Sequence, residues 1–245
     1  MSPSARPGRR PSRRLIRPLR AAAALVTAVA AALVTAATAA PAAADAGPPV
    51  PARSAQAAQA DIVAGDPFFN DAYPGRCTIG AVVTAGFLAN AHCGREGDRV
   101  RGRDGGTGTV AWSSPESGVL LVEADDGWRP TSSIRTGGGA NATVRGTVEA
   151  PVGASVCRPG PTTGWRCGTI VAKNQTVRTP QGHVYNATRT SLCAEPGDTG
   201  GAFYSDGHLQ GLLLVASGNC STGGTSFFLP IDPILSRYAL TPVTG

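Results

Sequence analysis

The side chains able to do chemistry fall in few places. His92 stands directly before Cys93, and a hydroxyl residue, Thr199, sits inside the run Gly197-Asp198-Thr199-Gly200-Gly201. An imidazole exchanges a proton near neutral pH, and a hydroxyl becomes a nucleophile when an adjacent base takes its proton. Taken alone, each feature has a plainer reading. A lone histidine is usually structural, which is how we read His183 and His208, and a Gly-Asp-x-Gly-Gly run is also a good turn. The six cysteines, Cys77, Cys93, Cys157, Cys167, Cys193 and Cys220, form an even set. In an exported chain that argues for three disulfides, although spacing alone leaves fifteen pairings open. No Cys-x-x-Cys occurs and the histidines do not cluster with acids, so neither a metal nor another cofactor is expected.

The elements that must position these groups begin after a distinct leader. Seven arginines between Arg6 and Arg20 precede an Ala/Val/Leu run through Ala40 and small residues around Ala42 to Ala46. This is the three-part layout of a secretory signal peptide, so residues 1–46 are expected to be removed and the protein to be extracellular. The run from Ala21 to Ala40 is long enough to span a bilayer, but its alanine content and small-residue ending favour cleavage over retention. Residues 47–60, rich in Pro, Ala, Gln and Ser, read as a disordered lead-in. It is short, so either the domain folds unaided or it has lost a need to be kept inactive until export.

Removing the leader changes the charge argument. The whole chain carries 22 Lys+Arg against 16 Asp+Glu, a formal net charge of +6. From residue 61 onward there are 14 basic and 15 acidic residues, a net charge of −1. The basic balance belongs to the targeting segment, which removes the case for a nucleic-acid partner. No membrane association is expected once the leader is gone.

Residues 61–245 are of a length for one ordinary domain. Short apolar runs punctuated by glycine recur at Cys77–Thr84, Gly118–Ala124, Ala142–Val148, Gly168–Ala172, His208–Val215 and Thr225–Pro230. Their length, β-branched content and turn-rich flanks predict strands, and so an all-β sandwich or barrel. Only Asp232–Leu240 has a helical pattern, with Ile234, Leu235 and Tyr238 on one face. The glycine-rich stretches Arg101–Gly108 and Thr136–Ala140 read as turns, since neither leads into a helix that would cradle a phosphate.

Three segments in order resemble the chymotrypsin-like (S1) bacterial serine proteases of the streptogrisin and alpha-lytic type. Cys77-Thr78-Ile79-Gly80 with Gly86-Phe87-Leu88-Ala89-Asn90-Ala91-His92-Cys93-Gly94 is similar to that family's general-base segment. The loop Cys157-Arg158-Pro159-Gly160-Pro161-Thr162-Thr163-Gly164-Trp165-Arg166-Cys167 resembles a disulfide loop of these enzymes. Cys193-Ala194-Glu195-Pro196-Gly197-Asp198-Thr199-Gly200-Gly201 resembles the nucleophile loop, usually Gly-Asp-Ser-Gly-Gly. The resemblance runs from about Asp61 to Leu240. It implies two antiparallel six-stranded β-barrels, about 61–145 and 146–245, with the site in the cleft between them and a short C-terminal helix. It also implies disulfides Cys77–Cys93, Cys157–Cys167 and Cys193–Cys220.

The resemblance further assigns roles. His92 takes the general-base place and Thr199 the nucleophile place, while the N–H groups of Gly197 and Thr199 take the oxyanion hole. Asp198, the acid before the nucleophile, is expected to pair with Arg158 as structural support. Three departures stand out. Thr199 replaces serine, and its extra methyl stiffens χ1 and crowds an approaching carbonyl. By ungapped comparison Gly118 takes the place of the orienting aspartate, and Glu116, two residues earlier, reads as a solvated turn residue. Leu214-Val215-Ala216 stands where the family commonly has Ser-Gly-Gly lining the substrate pocket, so the entrance should narrow and a helpful hydroxyl is gone. The expectation is an S1-family protein with a degenerate site, catalytically impaired or inactive, that binds protein or peptide as a monomer. The competing expectation is an endopeptidase that depends on Thr199.

Overall fold

The computed structural model describes residues 59–180 and 182–245, and the leader with most of the lead-in lies outside them. The first half comprises β1 (Ala60–Ala64), β2 (Pro67–Asn70), β3 (Arg76–Thr78), β4 (Val82–Val83), β5 (Gly86–Asn90), β6 (Arg99–Gly102), β7 (Thr107–Ser114), β8 (Val119–Ala124), β9 (Trp128–Arg135) and β10 (Asn141–Thr143). The second half comprises β11 (Ser155–Arg158), β12 (Arg166–Thr179), β13 (Gly182–Thr190), β14 (Ala202–Ser205), β15 (His208–Asn219), β16 (Gly223–Pro230) and the helix α1 (Ile231–Arg237). β1 starts at Ala60, one residue inside the expected lead-in.

The fold is of the trypsin-like two-barrel type. Strands β11-β12-β13-β16-β15-β14 close into a six-stranded barrel in which every neighbouring pair is antiparallel. The first half is built differently in detail. An antiparallel seven-stranded sheet, β3-β2-β6-β7-β8-β5-β4, stands with a three-stranded sheet, β1-β9-β10, in which β1 and β9 run parallel. β9 lies along β4, β5 and β8, which brings the two sheets together around a common core.

Local chemistry explains where the strands break. Cys77–Thr84, expected as one run, divides into β3 and β4 at Gly80, whose N–H donates to Leu88 O at 3.0 Å. A β-carbon there would lie 2.4 Å from Gly200 O and 2.5 Å from Leu88 O, so only glycine lets the two halves approach this closely. The glycine-rich Arg101–Gly108 stretch, expected as a turn, covers the end of β6, the hairpin turn at 103–106 and the start of β7. α1 ends at Arg237, short of the expected Leu240. Ala239 takes the left-handed conformation (φ 51°) and Leu240 N–H donates back to Leu235 O at 2.9 Å, closing the helix.

Two apolar clusters form the core, the larger drawing residues from both halves. Phe87 packs edge-on against Phe68 and Trp128 in the first. In the second barrel Phe203 stacks on Phe228 among Val156, Ile170, Leu192 and Leu213. Each such buried side chain contributes roughly 1.5–3 kcal/mol. At the end of α1, Tyr238 stacks on Trp112 at 4.2 Å and its hydroxyl lies 3.0 Å from Ser117 Oγ. The C-terminus thereby fixes the β7–β8 turn that carries Gly118. Three disulfides add covalent ties, Cys77–Cys93, Cys157–Cys167 and Cys193–Cys220.

Candidate active site

His92 is placed by the end of β5, where the chain tightens into a single 3-10 turn, Ala91–Cys93. Asn90 caps this turn. Its Oδ1 accepts from the His92 main-chain N–H at 3.1 Å and lies 2.7 Å from His92 Nδ1, while its Nδ2 donates to Leu213 O at 3.3 Å. The turn is further held by Ala91 N–H donating to Gly118 O at 3.0 Å and by Asn70 Nδ2 donating to Cys93 O at 3.0 Å. The other ring nitrogen, Nε2, faces the Cys77–Cys93 bridge, 3.7 Å from Cys93 Sγ and 4.0 Å from Cys77 Sγ. Those sulfurs are spent on the disulfide and offer no thiolate, so this cluster is not a metal-ligand set. His92 keeps an exposed edge, yet desolvation by its neighbours holds its pKa below the ordinary 6.5.

Gly118, the last residue of the turn before β8, has φ of 70°, a left-handed conformation that L side chains rarely adopt. A β-carbon there would lie 3.1 Å from Leu214 Cδ1 and 3.3 Å from Leu229 Cδ1. Leu214 is bulged out of the β15–β16 ladder, between Leu213 and Val215, and its buried side chain joins the larger core cluster, which draws on both halves. The space that a side chain at 118 would enter is therefore aliphatic. Glu116 points into solvent, and the group on His92 Nδ1 is an amide.

The loop carrying Thr199 is rigid by construction. Asp198 is fully buried against Arg158, with Arg158 Nη2 donating to Oδ2 at 3.1 Å. The same carboxylate accepts from the N–H groups of Thr162, Thr163 and Glu195 at 3.0, 3.2 and 3.1 Å and from Thr163 Oγ1 at 2.8 Å. Burial alone would raise the Asp198 pKa, but Arg158 and these donors outweigh it and hold it below the ordinary value. Thr78 ties the loop to β3, its N–H donating to Thr199 O at 3.2 Å and its Oγ1 to Gly197 O at 2.8 Å. Among the described residues, the N–H groups of Gly197 and Thr199 have no protein acceptor, and the Thr199 hydroxyl makes no hydrogen bond, to His92 or elsewhere. Arg76 arches over the loop. Its Nη2 donates to Thr162 Oγ1 at 2.6 Å and would lie 2.9 Å from a β-carbon on Gly197.

A cleft of about 680 Å³ gathers His92, Asn90, Gly118, Leu214 and Val215, with Thr179 and Pro180 from the β12–β13 hairpin facing them. Gly197, Thr199 and Ala216 lie outside its lining. Ala216 pairs with Ser226 on the exposed stretch of β15. Two residues not singled out from the sequence matter here, Asn90 and Arg76. Asn90 had a readable signal, an Asn two residues before a histidine at a turn, which is a favoured capping arrangement. Arg76 had none, because its place depends on a loop far away in the chain.

The two-barrel fold, the histidine turn beside a disulfide and the buried acid below a Gly-Asp-x-Gly-Gly loop together define the chymotrypsin-like class. The chain matches the family model described as Trypsin over residues 72–237 and belongs to that family. It is 44% identical over 202 residues to streptogrisin-C of Streptomyces griseus, which covers 79% of this chain but only 44% of that protein. Among solved structures it is similar to Thermobifida fusca protease A (42% identity, TM-score 0.71) and to Cellulomonas bogoriensis chymotrypsin (41% identity, TM-score 0.70). Each of these likenesses covers 76% of this chain and all of the other. Three disulfides fit an oxidising, extracytoplasmic compartment.

Proposed function

We propose that this chain is an exported, monomeric, catalytically impaired member of the trypsin family that holds a protein or peptide segment in its cleft without efficient hydrolysis. The observation that carries the reading is Leu214 packed against Gly118, the position that by sequence comparison should bear the orienting carboxylate. Losing that carboxylate costs about 10⁴ in kcat, roughly 5.4 kcal/mol of barrier. Thr199 adds a methyl that hinders approach of a carbonyl to within about 3–3.5 Å. Val215 and Ala216 narrow the strand that would pair with an extended peptide. The leader and the three disulfides support export.

A second reading, a slow Thr199-dependent endopeptidase, is favoured by the unoccupied N–H groups of Gly197 and Thr199 over the intact Asp198–Arg158 support. That pair of donors is the arrangement that stabilises an oxyanion, and impaired triads keep about 10³–10⁴ of acceleration over water. One experiment separates the readings. Turnover of casein and of short peptides is measured for the exported protein beside Thr199→Ala. Equal, background-level rates are expected; robust turnover that Thr199→Ala abolishes would establish the endopeptidase.

A further inference from the structure

Asn90 does more than cap a turn. A main-chain N–H can only donate, so the amide atom facing His92 N at 3.1 Å is the oxygen. A carbonyl can only accept, so the atom facing Leu213 O at 3.3 Å is the NH₂. Both ends of the amide are thus assigned by partners whose roles are not in question. The ring atom 2.7 Å from Oδ1 must then carry a proton.

We infer that Asn90 is a positioning residue that holds neutral His92 in the Nδ1–H tautomer, with the Nε2 lone pair free, in place of the orienting carboxylate that Gly118 lacks. A carboxylate in that role does two things: it selects the tautomer and it supports the imidazolium once a proton arrives. The amide keeps the first and lacks the second, because it bears no net charge. Asn90 is 7% exposed, directly precedes the histidine turn, and is anchored through Nδ2 on Leu213 O of the second barrel. Arg95 and Glu96 also line the cleft, and neither bonds the ring. The inference concerns the histidine alone and stands apart from the fate of substrate at Thr199.

Ring-nitrogen NMR on the full protein, at a pH above the histidine range, reads the tautomer directly, with the His92 signals assigned by their loss in His92→Gln. The Nδ1–H pattern is expected for the native chain, and the Nε2–H form, which a free histidine prefers, for Asn90→Ala. Asn90→Asp keeps the acceptor and the shape, so it guards against a variant that fails to fold. It should retain the Nδ1–H pattern and raise the proton affinity of His92 about 10- to 1000-fold, as an opposite charge at this distance does. A native Nε2–H pattern, an unchanged tautomer in Asn90→Ala, or an unmoved proton affinity in Asn90→Asp would each overturn the assignment. None of these readouts depends on turnover.

Discussion

Leu214 Cδ1 stands 3.1 Å from the point where a β-carbon on Gly118 would lie, and Gly118 itself holds a φ of 70°. The two positions are coupled: the leucine fills what a larger residue at 118 would need, and the glycine permits a backbone that such a residue would strain. Gly118→Asp alone is expected to destabilise the protein by about 1–3 kcal/mol. Adding Leu214→Ser should recover part of that loss. A double-mutant cycle by denaturant unfolding measures the coupling, and strict additivity would show that the contact carries none.

Restoring the nucleophile without its partners should achieve little. Thr199→Ser alone is expected to remain at least about 10³-fold slower on a chromogenic peptide than a chain that also carries Gly118→Asp, Leu214→Ser, Val215→Gly and Ala216→Gly, because the orienting carboxylate is worth about 10⁴. The comparison is of kcat/KM values. A folded multiple variant that stays inert would mean that residue 118 is not the aspartate's place.

The Arg158–Asp198 pair is fully buried, so removing one partner strands a charge. Arg158→Met is expected to cost about 3–5 kcal/mol, read as a lowered Tm. The double change Arg158→Met with Asp198→Asn should be milder than Arg158→Met alone, since no uncompensated charge remains.

Acid should act through the same carboxylate. Arg158 and four hydrogen-bond donors hold the folded pKa of Asp198 below its ordinary 3.8, against the opposing effect of burial. Its stabilisation is therefore complete above that ordinary value and is lost as pH falls through the lower, folded pKa. Unfolding followed from neutral pH downward is expected to show a loss of stability below about pH 4 that Asp198→Asn reduces. Depression of the His92 pKa works in the same sense at higher pH: its contribution is present above 6.5 and declines as pH falls below it, because the unfolded chain takes the proton first.

A glycine-punctuated, strand-rich domain with an even set of cysteines was legible in the residues alone, together with the histidine, acid and hydroxyl segments in family order. These features are local: strand length, turn residues and motif spacing are written in neighbouring positions. The kink at Gly80 and the short β4 were not legible, because they follow from Gly200 and Leu88 pressing on one backbone atom from other parts of the chain. The site divides along the same line. Residue types at 118, 199 and 214–216 raised the expectation of altered reactive groups, but not what packs around them. That Leu214 packs on Gly118 and that Arg76 lies over Gly197 came from the folded chain, since docking of the two barrels sets those contacts. The fold also turned His92 Nδ1 to Asn90, a choice of rotamer and hydrogen-bond partner that a list of residue types leaves open.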